Sequence, residues 1–361
     1  MSRVTSSASD RLPGRSSGRV GIKDVARLAG VSQGTVSNVL NHPDRVSEVR
    51  REAVTRAIAE LGFVRHEAAR HLRAGYSRTV GLLLLDAWNP GFNEVARGVE
   101  DSTSHRGLTV LISNSARDPE RERAYLRLFS EHRVAGLIVV PHDEFADDLH
   151  RIRTGGIPVV VVDRAETDEA GMSVAVDDVT GGELAARHLI ELGHRHLAFV
   201  GDRAAAAPVH DRLTGVEKAV AQASDEVRLD VYPAELTAEG GRETGERLAA
   251  LPREDRPTAV TTAIDLLAIG VLQALLQQGL RVPEDVSLIG YDDIPFTRQL
   301  SVPLTTVRRP HYDMGTTAAE ILATALAGET PRPRHVVFEP TLVVRESTGP
   351  RPSSSTKVKR R

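Results

Sequence analysis

The sequence predicts a chain of two parts: a small all-α head at the N-terminus and a larger α/β body of two lobes, joined by a hinge helix. Three observations lead to this fold class. Apolar residues recur at helical spacing over residues 22–61. From Val80 onward, short apolar strands alternate with helical stretches, which is typical of parallel sheets covered by helices. The length of 361 residues and the hydrophobic content of 40% suffice for a head and two lobes.

The head is predicted to begin with two short helices joined by a tight turn. Four apolar residues of the first helix fall on one face: Ile22, Val25, Ala26 and Ala29. Gly30 suits a left-handed helix end, and Ser32 is a good N-cap for a second helix that runs to Leu40. An ordinary helical hairpin is the alternative interpretation of this segment taken alone.

The second helix has an apolar face and a polar face. Its apolar residues Val36, Val39 and Leu40 are expected to face the first helix. The open side is left with short polar side chains and a glycine: Gln33, Gly34, Ser37 and Asn38. Such residues suit contact with base edges, so the pattern predicts a helix-turn-helix whose second helix enters the major groove of DNA.

Two further segments complete the head. A third helix is predicted from Ser47 to Leu61, and Gly62 ends it. Residues 63–75 then form a stretch rich in Ala and Arg that is too short to be a stable helix alone, and after Phe63 and Val64 its single bulky apolar residue is Leu72. We therefore expect a hinge segment, residues 66–73, that is disordered without the DNA target and helical when bound to it.

The charge is distributed unevenly between the two parts. The formal net charge is −3, yet residues 1–79 contain 14 Lys and Arg against 7 Asp and Glu, whereas the rest of the chain contains 32 basic and 42 acidic residues. A basic head on an acidic body is expected when only the head meets a phosphate backbone.

The sequence lacks the usual signs of disulfide-rich, exported, membrane-spanning and catalytic proteins. There is no cysteine, hence neither a disulfide framework nor a thiolate metal site. The Ser/Arg/Gly-rich start has no apolar core of a signal peptide, and the longest apolar runs are of strand length, so a cytoplasmic protein without a membrane span is expected. The 13 histidines are scattered, and we find no His-Glu-x-x-His and no phosphate loop; Gly-x-Ser-x-Gly occurs at residues 14–18 and 30–34, neither of which follows a predicted strand. We expect no catalytic residues, no metal and no cofactor.

The body is predicted to hold two parallel sheets of five or six strands. The predicted strands are 80–85, 109–113, 136–140, 158–162, 173–176, 197–200, 227–231, 259–262, 286–289 and 336–344. The predicted helices are 92–106, 118–132, 143–154, 180–192, 211–223, 240–250, 265–279 and 312–327.

Three helices, a conditional fourth and such a body resemble the LacI/GalR family of bacterial transcriptional regulators, from about Ile22 to Ser347. The resemblance implies a periplasmic-binding-protein-like body with an effector in the cleft between lobes, and a chain that crosses between lobes near 163–177, 303–309 and 328–336. The domain limits it implies are a disordered tail 1–20, a helix-turn-helix 21–64, a hinge 65–78, an effector and dimerisation domain 79–348, and a disordered basic tail 349–361. Within that domain, one lobe is expected to combine 79–176 with 307–335, and the other 177–306 with 336–348.

Candidate binding residues follow from the motifs and the resemblance together. The expected DNA contacts are Ile22, Ser32, Gln33, Gly34, Thr35, Ser37, Asn38, Asn41, Arg45, Ser47, His66, Ala69 and Leu72. The expected effector contacts are Asp86, Trp88, Asn89, Phe92, Asp163, Arg212, Ile264, Asp292 and Arg309.

Within the effector set, two segments match family motifs. Arg212-Leu213-Thr214-Gly215 matches Arg-Leu-x-Gly, and Gly290-Tyr291-Asp292 matches Gly-Tyr-Asp. Asp292 is expected to face Arg212 across the pocket, either as two ligand contacts or as a structural ion pair, or as both. Asp163 ends a strand at a position that resembles one used to hydrogen-bond sugar hydroxyls.

Six positions depart from the family pattern. Ile264 replaces an asparagine that often contacts ligand, and Gly91 replaces one ring of an Asn-Pro-Phe-Phe pattern. Arg309 and His311 stand where other members carry glutamine or aromatics, and Arg65-His66 replaces the usual Pro-Asn before the hinge. These departures leave the effector and the operator sequence open.

The sequence therefore predicts a homodimeric, sequence-specific regulator, a repressor by expectation, that binds a pseudo-palindromic operator in double-stranded DNA and responds to a small molecule such as a sugar or related metabolite. Two alternatives are a ligand-independent DNA-binding protein and a solute-binding protein of transport type. The second is disfavoured because it would need an export signal and would lack residues 22–73.

Overall fold

The computed structural model describes residues 20–63, 77–142, 146–166, 171–202, 204 and 206–352. The chain falls into two compact units with the boundary between Tyr76 and Ser77. The predicted hinge residues His66, Ala69 and Leu72 lie outside the described residues, as do residues 1–19 and 353–361. Among the described residues, no helix combines the length and the apolar character needed to cross a membrane.

The head contains three helices, α1 (Ile22–Ala29), α2 (Gln33–Asn41) and α3 (Glu48–Leu61). Gly30 and Gly62 end α1 and α3 with φ of 64° and 58°, a left-handed conformation that glycine adopts without a steric cost. The side chain of Ser32 accepts a hydrogen bond of 3.1 Å from the Thr35 N–H and so caps α2. The core of the head is small and apolar: Val25, Ala26, Val36, Val39, Val54 and Ala57.

The body contains two six-stranded sheets. The strands are β1 (Thr79–Leu84), β2 (Thr109–Asn114), β3 (Gly136–Val139), β4 (Val159–Val162), β5 (Ser173–Val176), β6 (His196–Val200), β7 (Arg228–Tyr232), β8 (Ala259–Thr262), β9 (Ser287–Asp292), β10 (Thr305–Arg308), β11 (His335–Phe338) and β12 (Thr341–Val343). The first sheet has the order β11-β5-β4-β3-β1-β2 and the second β12-β10-β9-β8-β6-β7. Neighbouring strands are parallel except β12, which runs antiparallel to β10.

Helices cover these sheets and define two lobes. The body helices are α4 (Pro90–Ser104), α5 (Pro119–Glu131), α6 (Ala146–Thr154), α7 (Asp178–Glu191), α8 (Ala207–Ala221), α9 (Ala238–Ala250), α10 (Asp265–Gln277) and α11 (His311–Leu326). Helices α4, α5, α6 and α11 pack with the first sheet or with one another and form the first lobe. Helices α7 to α10 belong with the second sheet and form the second lobe.

Two details of the predicted topology are wrong. The segment 336–344 was expected to be one strand of the second lobe, but it is two strands: β11 pairs with β5 in the first sheet and β12 pairs with β10 in the second. Pro340, which has no N–H to donate to a sheet, lies between them, so the last crossing between lobes is at 339–340 rather than 328–336.

Strand β10 lies in the segment 303–309 that was expected only as a crossing. Thr305 and Thr306 are buried although their side chains are polar. The strand therefore has too few apolar residues for its burial to be visible as a periodicity in the sequence. The hydroxyl of Thr306 donates to Asp265 at 2.7 Å, and that of Thr305 lies 3.0 Å from the hydroxyl of Thr348. Hydrogen bonds thus allow threonine at positions where other strands of the sheet carry valine or isoleucine.

Candidate nucleic-acid interface and interlobe site

Helix α2 presents a polar face to solvent, as the sequence predicts. Gln33, Gly34 and Asn38 are exposed and Ser37 is half-buried, whereas Val36 and Val39 are buried against the rest of the head. Five of the predicted contact residues line one concavity of the head surface: Ile22, Gln33, Gly34, Ser37 and Asn38. The one-sided burial of α2 leaves a continuous polar surface for a ligand outside the head.

The polar side chains of α2 differ in whether they form hydrogen bonds within the head. The amide of Asn41 donates to the Ser37 carbonyl at 2.8 Å and to the Ser37 hydroxyl at 3.2 Å. Within the described part of the head, no side-chain hydrogen bond engages the amides of Gln33 and Asn38. Arg45 and Ser47 lie exposed beside the start of α3, and Ser47 is its N-cap residue by position, without a side-chain cap bond.

Between the lobes, five charged side chains come together, and we call them the interlobe cluster: Asp163, Asp178, Arg212, Asp292 and Arg309. The three carboxylates lie at carboxyl ends of parallel strands, where such sheets bind ligands: Asp163 follows β4, Asp178 starts the helix after β5, and Asp292 ends β9. Asp163 and Asp292 lie where the chain turns with positive φ, 72° and 118°.

Arg212 pairs with a residue that the motifs did not single out. Its Nε donates to Asp178 Oδ1 at 2.9 Å, its Nη1 donates to the Ala263 carbonyl at 2.6 Å, and its guanidinium carbon lies 4.0 Å from the centre of the Tyr291 ring. Of the two interpretations of Arg212 and Asp292, the structural ion pair is not observed, because Arg212 pairs with Asp178; the interpretation as two ligand contacts stays a prediction. Like Asp163, Asp178 lies just after the carboxyl end of a strand, in this case β5. The criterion that selected Asp163 from the sequence could therefore have identified Asp178 as well.

Arg309 links carboxylates from both lobes. Its Nη2 donates to Asp163 Oδ1, its Nε lies 3.9 Å from Asp178 Oδ1, and its Nη1 lies 3.7 Å from Asp292 Oδ1. Only 2% of its side chain is exposed. Because Asp163 belongs to the first lobe and the other two carboxylates to the second, this arginine neutralises charge from both sides of the cleft.

Asp292 has a second connection to the first lobe. The Asn89 amide donates to its Oδ2 at 3.2 Å, and His311 Nε2 lies 3.7 Å from its Oδ1. A Cβ at Gly91 would stand 2.6 Å from His311 Nε2, so the missing side chain at this position makes room for the imidazole ring. Two of the departures from the family pattern, Gly91 and His311, thus lie against each other.

Burial and charge shift the pKa values of these groups. Burial raises the pKa of the Asp163 and Asp292 carboxyls, although the neighbouring arginines oppose this. The pKa of Asp178 is lowered because Arg212 and Arg309 together outweigh its burial. Burial and the same two arginines lower the pKa of His311 well below its ordinary value, which makes this imidazole neutral at physiological pH.

In the part of the chain that the structure describes, the other predicted effector residues make no hydrogen bond or ion pair with the interlobe cluster. Asp86 accepts hydrogen bonds from the Trp88 N–H at 3.0 Å and from Arg117 Nε at 3.1 Å, and the Trp88 residue is 85% exposed. Phe92 packs in the core of the first lobe and Ile264 in that of the second. Of the predicted set, the structure brings together Asn89, Asp163, Arg212, Asp292 and Arg309, and it adds Asp178, Tyr291 and His311. In the described ranges, no three His, Cys, Asp or Glu side chains are arranged to hold a metal ion.

Comparison with known proteins gives matches over both parts of the chain. Residues 21–66 match the family model of bacterial regulatory proteins of the lacI family, and residues 186–348 match that of a periplasmic binding protein-like domain. The chain is 34% identical over 328 residues to the HTH-type transcriptional repressor PurR of Aliivibrio fischeri, covering 90% of this chain and 97% of that protein. It is 35% identical over 332 residues to PurR of Vibrio vulnificus, with 90% and 98% covered.

Solved structures agree with this grouping. A complex of the transcriptional regulator CelR with cellobiose is 31% identical, with a TM-score of 0.67 over 91% of this chain and 100% of that one. The lac repressor dimer bound to operator and the anti-inducer ONPF is 25% identical, with a TM-score of 0.76 over 91% and 99%. A regulator from Enterococcus faecium with bound ribose is 28% identical, with a TM-score of 0.68 over 75% and 99%. The helix-turn-helix head, the two-lobed body and the relatives that match over nearly their whole length lead to one conclusion. This chain belongs to the LacI family of DNA-binding transcriptional regulators.

Proposed function

We propose that this protein is a homodimeric repressor that binds a pseudo-palindromic operator and whose operator affinity is set by a small molecule held between the lobes. The observation that carries the proposal is the polar face of α2, where the amides of Gln33 and Asn38 are exposed and the apolar residues are buried. Each amide can pair bidentately with adenine in the major groove. This face supports direct readout of bases rather than general attraction to DNA alone.

We infer the dimer from the small size of the surface with which one head contacts DNA. One recognition helix contacts only a few base pairs, so affinity and specificity require two heads on two half-sites. The relative solved with operator is a dimer. Because the family consists of bacterial regulatory proteins, we propose that this protein meets its DNA in the cytoplasm.

We assign the effector site to the interlobe cluster with Asn89, Tyr291 and His311. These residues come from both lobes, so a molecule among them contacts both and can change how the lobes close. Related regulators hold cellobiose or ribose. A sugar or related metabolite fits the density of hydrogen-bonding groups in this cleft. Trp88 and Asp86 lie near Asn89 in the chain and are proposed to border the opening.

The hinge is proposed to transmit the lobe movement to the heads. Residues 66–73 from two protomers would form paired helices on operator, with Leu72 inserted into the minor groove at its centre, and His66 and Ala69 beside it. This proposal rests on the composition of the segment and on the resemblance to the family.

A binding-site selection experiment tests the proposed function. The full chain is incubated with random duplexes, and bound duplexes are amplified and sequenced over several rounds. We expect enrichment of one two-fold symmetric sequence, with a stoichiometry of two chains per duplex. Recovery of duplexes without a common sequence would contradict the proposal and favour a non-specific DNA-binding protein.

A further inference from the structure

We infer that residues 1–20, which we call the N-terminal arm, bind the phosphate backbone of DNA beside the surface that α2 presents to the operator. This inference rests on the proposed operator binding and adds a second contact surface to it. The match to the lacI family model begins at residue 21, so the arm lies outside the part of the chain that this model describes. The arm recognises the charge of the duplex and not its sequence.

The first argument is where the positive charge of residues 1–79 lies. The helical part of the head, residues 21–63, contains six Lys and Arg against five Asp and Glu. The arm contains four Arg against one Asp, and residues 64–79 contain four Arg against one Glu. The helical part is therefore close to neutral, whereas the segments on either side of it are basic. Because neutralisation of phosphates supplies much of the affinity for DNA, we expect these segments to contribute it.

The second argument is the point at which the arm joins the head. Ile22, the first residue of α1, lines the same concavity as Gln33 and Asn38 of α2. Gly21 before it is the N-cap of α1, and the Gly21 N–H donates to Asp24 Oδ2 at 3.0 Å, which fixes the start of the helix. The arm therefore joins the head at the edge of the surface that is proposed to face the bases.

The third argument is the distance that the arm can span. Arg19 precedes Gly21 by two residues and Arg15 precedes it by six. At about 3.5 Å per residue, their backbones cannot be farther than about 7 Å and 20 Å from the start of α1. A duplex carries one negative charge per about 1.7 Å of its axis. Both arginines therefore stay within reach of phosphates when α2 occupies the groove.

The start of α1 does not offer an unpaired carboxylate that would hold these arginines on the head. Asp24 is the acidic residue of the first turn of this helix. Its Oδ2 accepts the Gly21 N–H, and its Oδ1 accepts Arg27 Nη2 at 2.7 Å. The charge of the arm is thus left for a ligand outside the helix from which the arm extends.

The salt dependence of operator binding tests the arm, with two full-length variants that lose the same charge at opposite ends of the chain. The arm variant replaces the four arginines of the arm with glutamine: Arg3→Gln, Arg11→Gln, Arg15→Gln and Arg19→Gln. The control variant replaces four cations that follow the second lobe: Lys357→Gln, Lys359→Gln, Arg360→Gln and Arg361→Gln. That end of the chain is attached to the body, where the Arg351 N–H donates to the Leu192 carbonyl at 3.0 Å. Affinity for the selected operator is measured by fluorescence anisotropy between about 50 and 200 mM NaCl.

We expect the slope of log K against log salt to become shallower by about 3–4 in the arm variant, because two arms with two phosphate contacts each contribute about 0.9 per contact. The control variant should keep the slope of the wild type, and base preference should be unchanged in both. Hydroxyl-radical footprinting should show backbone positions at each half-site that the wild type protects and the arm variant leaves exposed.

Two results would overturn the inference. A slope that falls as much in the control variant as in the arm variant would show that total charge matters and the position of the arm does not. An unchanged slope, or tighter operator binding by the arm variant, would show that the arm does not bind DNA and would favour its binding to the acidic body. Failure of the proposed function is seen separately, as a wild type that does not prefer the selected duplex to a random one.

Discussion

Gln33, Asn38 and Arg45 lie within one small head, yet their side chains suit different parts of a duplex. The two amides belong to the exposed face of α2, and Arg45 is exposed beside the start of α3. An amide can distinguish bases through paired donor and acceptor, whereas a guanidinium beside the groove interacts with phosphates of any sequence.

Replacement of these side chains should therefore have two distinct effects. Gln33→Ala or Asn38→Ala is expected to relax preference at one operator position per half-site, with a loss of about 1–3 kcal/mol of discrimination. Arg45→Ala should weaken binding to all duplexes alike and reduce the salt slope of log K by about one. Binding-site selection and fluorescence anisotropy at several salt concentrations measure both. A change of base preference in Arg45→Ala alone would reverse the assignment.

Glu122 on α5 is a buried carboxyl outside the interlobe cluster. Its Oε2 accepts the His142 N–H at 3.0 Å, and burial, helped by the charge of Asp148, raises its pKa to about 7. Since the folded state holds this proton more tightly than the unfolded state, the stabilising contribution is complete below about pH 4.5 and is lost as pH rises toward about 7.

Glu122→Gln should remove this pH dependence. The Tm of the variant minus that of the wild type is expected to become more positive between pH 5 and pH 8, because only the wild type must then bury a negative charge or bind a proton. Glu120→Gln, an exposed residue in the first turn of the same helix, is the control. A Tm difference for Glu122→Gln that stays constant across this range would contradict the shifted pKa.

At the scale of elements, local signals in the sequence predict the head more closely than the end of the chain. Helices α1 to α3 begin and end within one residue of the predicted limits because Gly30, Ser32 and Gly62 act through their own backbone and nearest turn. The division of 336–344 into β11 and β12 depends on pairing with β5 and β10, which are far away in sequence. Periodicity reports burial but does not tell which sheet receives a strand.

The hinge segment gives the prediction that belongs to this scale. Leu72→Ala should lower operator affinity and reduce DNA bending, because the side chain proposed to open the central base step would be lost. Gel mobility of circularly permuted operator fragments measures the bend, and effector binding should be unchanged in the same variant. An unaltered bend angle and affinity would exclude the proposed insertion of Leu72 into the minor groove.

The whole molecule brings together polar groups that lie far apart in the sequence. Strand-end carboxylates and the two family motifs identify Asp163, Arg212 and Asp292, but the pairing of Arg212 with Asp178 depends on which helix N-terminus faces the arginine in the folded lobe. Hydrogen bonds from the first lobe to Asp292 and from Arg309 to Asp163 then connect the lobes. Such contacts follow from the assembled sheets and are not visible in any local pattern.

Control of operator affinity from this cleft is the central claim, and Asp292→Asn tests it most directly. A thermal-shift screen of sugars, nucleosides and amines on the full chain first selects the compound with the largest rise in Tm. Operator affinity is then measured with and without that compound for the wild type and for Asp292→Asn, which keeps the shape of the side chain and removes its charge. We expect at least a tenfold change in the wild type, about 1.4 kcal/mol of coupling, and no change in the variant, whose affinity without the compound stays that of the wild type. A variant that responds as fully as the wild type would contradict the account.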